Sequence, residues 1–87
     1  MVNGVFINKS VDGGNNICGK QVAFHRKRLR KSQRQLADML QIAGLDVDKN
    51  AIQRIECGKR FVTDIELVYF SKVLQVSYEA LLTEVEQ

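Results

Sequence analysis

Four polar side chains lie close together at Lys49, Asn50, Gln53 and Arg54. If this stretch is a helix, they share one side of it. Ala51, Ile52 and Ile55, related by three- and four-residue steps, line the other side. The polar groups are the kind that discriminate base edges. A guanidinium can bridge O6 and N7 of guanine, and a side-chain amide can bridge N6 and N7 of adenine. A short rod carrying such groups and an excess of positive charge fits the major groove of duplex DNA. Its ends are marked in the sequence. Asp48 can accept hydrogen bonds from the first turn, and Gly58 suits the left-handed position after the last. The expected helix is about 49–57.

No other residue set competes for chemistry. Cys18 and Cys57 lie far apart, and with the lone His25 they do not make a zinc site. Two reduced thiols in a cytoplasmic protein are the simplest expectation, although a disulfide cannot be read from spacing. No serine or cysteine is spaced with a histidine as a nucleophile and base would be, and Gly13-Gly14 matches no phosphate-cradling loop. Neither enzyme activity nor a metal, a cofactor or a small-molecule substrate is expected. No apolar run approaches the ~20 residues of a membrane span.

The charge distribution points the same way. The 87 residues carry a net +3 at neutral pH. Between Ile17 and Arg60, eleven basic side chains stand against four acidic ones, a net +7. From Phe61 onward Lys72 alone opposes five acids, a net −4. A basic part joined to an acidic end is what a polyanion-binding surface requires.

The elements that must position the polar helix follow from periodicity and caps. Residues 1–16 are rich in Gly and Asn and read as a flexible arm, whose apolar Val5, Phe6 and Ile7 could instead dock as a short strand. Residues 17–87 form one domain. A first helix runs from about Gly19 to Arg30, with Cys18, Val22, His25 and Leu29 inward. His25 is expected to be a packing residue. Ser32 and Gln35 form a capping box for a second helix, with Leu36, Ala37 and Leu40 inward, that stops at Gly44. Leu45 and Val47 tuck under the connection to the polar helix. Thr63 and Glu66 cap a fourth helix with Ile65, Val68, Tyr69, Val73 and Leu74 spaced along it. Ser77 caps a last one carrying Tyr78, Leu81, Leu82 and Val85. The fold class is all-α, with five short helices.

In this order, Val22-x3-Arg26, Ser32-Gln33-x2-Leu36-Ala37 and Ala51-Ile52-x2-Ile55-Glu56-x-Gly58-Lys59-Arg60 resemble the helix-turn-helix of phage-repressor-like (XRE, or Cro/C1-type) transcription regulators. Asp64-x-Glu66-Leu67 and Val73-Leu74-x-Val76-Ser77-x3-Leu81-Leu82 fit the last two helices of that family. The resemblance covers about residues 18–82. It implies a lambda-repressor-like five-helix domain that binds double-stranded DNA in a sequence-specific way. It assigns base contacts to Lys49, Asn50, Gln53 and Arg54, and phosphate contacts to Ser32, Gln33, Lys59 and Arg60. It makes Arg26 and Glu56 an internal ion pair between the first and third helices. It also implies a homodimer on a two-fold operator. For the dimer surface, Tyr78, Leu81 and Val85 with Phe24 are candidates, and core packing is an equal alternative for them.

The chain departs from the family in two places. Arg30-Lys31 stands where many members have Gly-Leu, so a less sharp corner is expected after the first helix. The connection Gln41 to Val47 is longer than the family's tight turn. The alternative function is a protein-interaction module on the same fold, antitoxin-like or adaptor, because fold alone does not establish function.

Overall fold

Side-chain caps decide where each helix begins. The structure, a computed structural model, describes residues 13–83 and contains five helices and no strand among them. Helix α1 (Gly19–Arg28) starts where the Gly19 amide donates to Asn16 Oδ1 at 2.7 Å. Helix α2 (Gln33–Ala43) starts in a complete capping box between Ser32 and Gln35. Asp48 accepts from the Ala51 amide at 2.8 Å to open α3 (Lys49–Glu56). Thr63 and Glu66 form a second capping box for α4 (Asp64–Leu74), and Ser77 caps α5 (Tyr78–Leu82). The expectations for the arm before Gly13, for Val5, Phe6 and Ile7, and for Val85 lie outside the described residues.

Helix ends depend on left-handed residues. Gly58, with φ 79°, follows α3. The Lys59 amide reaches back to the Arg54 carbonyl at 2.9 Å and the Gly58 amide to that of Ile55 at 3.0 Å. That pair of bonds satisfies carbonyls the helix itself cannot. After α1 the same pattern is built on an arginine. Arg30 has φ 59°, with its own amide bonded to the Lys27 carbonyl and the Lys31 amide bonded to that of Arg26. The corner is therefore sharp despite lacking glycine, and α1 stops at Arg28 rather than Arg30. A side chain in this conformation costs roughly 1–2 kcal/mol.

The core lies where α1 to α5 meet: Val22, Leu36, Leu40, Ile52, Ile55, Phe70, Leu74 and Leu81 are fully buried. Val47 is buried with them, and the Gln41 side-chain amide holds its carbonyl at 2.7 Å. The α2–α3 connection is thus anchored although it is long. Of the five apolar residues spaced along α4, Leu74 is buried and Tyr69 and Val73 pack against the core. Ile65 is 65% and Val68 44% exposed, whereas Phe70 and Leu74 face the core with Leu67 beside them. Apolar residues occur nearly all round this helix, so spacing alone does not select a face. Leu81 packs inside, which removes it from the candidate dimer surface, while Tyr78 and Phe24 stay about half exposed. His25 is half-buried and packs edge-on against Phe24 at 5.0 Å. Cys18 is buried and Cys57 exposed, and both are free thiols. No helix among the described residues is long and apolar enough to cross a membrane.

Replacing Arg30 with glycine relieves the left-handed strain at the α1–α2 corner. Arg30→Gly is expected to raise stability by about 0.5–1 kcal/mol, seen as a higher urea midpoint at unchanged slope. A lower midpoint would show that the Arg30 side chain contributes more than its backbone costs.

Candidate nucleic-acid interface

Helix α3 has only eight residues, about 12 Å of rod, and is too short to hold its shape in isolation. Its pose is imposed by what it sits on. Ile52 and Ile55 are fully buried, which turns Lys49, Asn50, Gln53 and Arg54 to the opposite side, and all four are exposed. Ala51 sits half-buried at the margin. The four candidate base-reading residues therefore share one solvent-facing surface. No group of three or more His, Cys, Asp or Glu among the described residues could hold a metal ion.

The C-terminal end of α3 is fixed by a buried polar joint. Arg26 Nε donates to Glu56 Oε2 at 2.7 Å, and a second guanidinium nitrogen donates to Oε1 at 3.0 Å. The two side chains are only 10% and 8% exposed. Gln33 donates its side-chain amide to the same Oε1 at 3.0 Å. The remaining Arg26 nitrogen donates to the Lys31 carbonyl at 2.8 Å, so it also ties down the α1–α2 corner. The bond to Glu56 holds the Arg26 guanidinium above its ordinary pKa. Every buried polar side-chain atom among the described residues has a partner. Arg26 and Glu56 are thus an internal ion pair, and Gln33 braces it from the first turn of α2.

The other expected phosphate-facing residues have diverse surroundings. Ser32 is exposed at the tip of α2, with its Oγ accepting the Gln35 amide at 3.0 Å. Its hydroxyl hydrogen stays available, as do the α2 amides at Gln33 and Arg34 that the cap does not use. Lys59 is exposed directly after α3. Arg60 is engaged elsewhere. It forms a two-pronged ion pair with Glu66, at 3.0 and 2.8 Å, on the first turn of α4. That bond holds the Glu66 carboxyl below the usual glutamate range and the Arg60 guanidinium above its own.

A further set of positioning residues lies upstream. The Asn15 amide donates to the Gly58 carbonyl at 2.8 Å, and its side chain donates to that of Lys59. Asn16 donates to the carbonyls of Ile55 and Arg60 while its Oδ1 caps α1. Gly19 makes this approach possible, since a β-carbon there would run into the Ile55 carbonyl oxygen. Residues 15 and 16, expected at the end of the arm, are instead docked on the end of α3. The contacts to the end of α3 and its loop span about forty residues of sequence, and only the run Asn15-Asn16 before a helix hints at them. Comparison with family models, with curated proteins and with solved structures finds no match.

Removing Arg26 would strand a sheltered carboxylate. Arg26→Ala is expected to lower unfolding stability by about 3–5 kcal/mol. Replacing both partners by methionine should lose much less, because no charge is left buried without its mate. Urea unfolding of the three proteins tests this, and equal losses would refute it. Glu66 should act on the acid side. Its folded pKa is depressed, so its contribution is complete above the ordinary glutamate value of about 4.3 and disappears as pH falls through the lower folded value. The stability gap between wild type and Glu66→Gln should therefore narrow in urea titrations taken from neutral pH down through that range. A gap that stayed constant would mean the ion pair with Arg60 contributes nothing.

Proposed function

We propose that this chain is a sequence-specific double-stranded DNA-binding transcription regulator of the phage-repressor-like helix-turn-helix class, with α3 as its recognition helix. The observation that carries the proposal is the exposed quartet on α3, set directly opposite the two isoleucines that anchor the helix. Five helices in this order, with α2 and α3 joined as a bracket, support the lambda-repressor-like form of the fold.

In this role α3 lies in the major groove. Arg54 would take a guanine edge and Asn50 or Gln53 an adenine edge, with Lys49 at the N-terminal end of the row. Ser32 and the unpaired amides at the tip of α2 would hold a phosphate, as helix N-termini do. Gln33 would help only by bracing Glu56, whose carboxylate is kept from the DNA by Arg26. Lys59 is the simpler phosphate ligand of the two residues after α3, since Arg60 would have to share its guanidinium with Glu66. Phosphate contacts set register and give a salt-dependent affinity, while the α3 side chains set sequence. Bound to its site, such a domain acts by occupancy or by touching the transcription machinery, with no bond made or broken.

Selection of bound duplexes from a random pool should recover a motif. Against that motif, Arg54→Ala is expected to lose about 1–3 kcal/mol and to relax preference at one base pair. Lys59→Ala should weaken all sequences alike and reduce the slope of log affinity against log salt by about 1. If no duplex is retained at low salt, the interaction-module alternative takes over, with the exposed apolar side chains of α4 as its starting point.

A further inference from the structure

Helix α4 is packed on one side and bare on the other. It lies against α1, α2 and α5, with Phe70 and Leu74 fully buried. Its outer side carries Ile65 and Val68, 65% and 44% exposed, with Phe61 exposed just before the helix. Two charged residues bracket Val68. Asp64 lies four residues before it and Lys72 four residues after, and both are exposed. Neither forms an ion pair among the described residues, and Lys72 only leans over the Tyr69 ring, 5.9 Å from its centre.

The order of those charges is informative. At 1.5 Å per residue, Asp64 and Lys72 sit about 6 Å from Val68 along the axis, on opposite sides of it. A two-fold axis through Val68 lays a second α4 antiparallel on the first. Each Asp64 then meets Lys72 of the second copy, and Ile65 and Val68 of both fill the space between. Like charges at the two ends would repel themselves under this operation. An acid at one end and a base at the other attract themselves, which is the self-complementarity an isologous contact demands. We propose that the outer face of α4 is a homodimer surface for a second copy of this chain, with Val68 at the two-fold axis.

None of the exposed α3 quartet belongs to this face, so pairing leaves Lys49, Asn50, Gln53 and Arg54 open to solvent. The surface is small beside the roughly 800 Å² per partner of a standard interface, so association in the absence of DNA is weak. It is also independent of the DNA proposal, because it is measured without DNA.

Sedimentation equilibrium of the full 87-residue chain, from about 10 μM to about 1 mM, tests it. Wild type is expected to move toward the dimer mass across that range, and Val68→Glu to remain a monomer. Asp64→Lys and Lys72→Asp should each weaken association about tenfold, since each sets like charges together twice. Mixing these two variants in equal amounts should restore association, because in the mixed pair both contacts are again acid to base. That rescue also shows both variants to be folded. A wild type that stays monomeric, single reversals that pair as well as wild type, or a mixture no tighter than its components would each overturn the proposal. In the first case, the α4 face serves a different protein or none.

Discussion

The buried ion pair between Arg26 and Glu56 is the joint on which the arrangement of this domain depends. Ile52 and Ile55 press α3 onto the core, but dispersion and apolar burial are indifferent to a small rotation or slide of so short a helix. Charge-assisted bonds are not. Glu56 receives two bonds from Arg26 and one from Gln33, while Arg26 also takes the Lys31 carbonyl. One residue pair therefore fixes the end of α1, the corner behind it, the first turn of α2 and the last turn of α3. Such a network adds little net stability over an apolar substitute, because desolvation offsets most of the attraction. What it contributes is a single geometry, since any other leaves a charge buried without its partner.

The same end of α3 is held from two more directions. Asn15 and Asn16 take the Ile55 carbonyl near its end and those of Gly58, Lys59 and Arg60 in the following loop, and Gly19 lets the start of α1 come close enough for this. Arg60 then fastens the loop to the first turn of α4 through Glu66, which at the same time caps that helix. At the opposite end α3 has Asp48 as a cap, with Val47 buried just before it. The exposed side chains thus stand on a helix restrained at both tips and along its underside. This is the rigid support that a reading surface requires, since ordering costs are met on folding rather than on binding.

Much of the scaffold was legible in the chain because caps and helical periodicity are local. Ser32 with Gln35, Asp48 with Gly58, and Thr63 with Glu66 locate helix starts and stops within a residue or two, and Leu36, Ala37 and Leu40 select the inner side of α2 without ambiguity. The inner side of α4 was not legible, for a physical reason. With Ile65, Leu67, Val68, Tyr69, Phe70, Val73 and Leu74 on one helix, several faces are apolar, and only its neighbours decide which one is covered. Polar contacts other than the caps and the Arg26–Glu56 pair were invisible for another reason. Nothing in Asn16 announces a carbonyl at Ile55, and nothing in Arg60 announces that Glu66 rather than solvent receives it. The Arg30 corner shows a limit of residue preferences. Bonds from two successive amides hold an arginine in a conformation that the residue alone disfavours.

The two thiols differ in a way that bears on how this molecule can be observed. Burial pushes the Cys18 thiol up to about 11, and its side chain is closed off in the core. Cys57 is open to solvent immediately after α3, one residue before the glycine that ends the helix. Because thiolate fraction and access govern alkylation, a maleimide dye or spin label added to the unaltered folded chain attaches at Cys57 alone. The native sequence therefore carries its own single attachment point for a probe, at the base of the helix whose surroundings are of most interest.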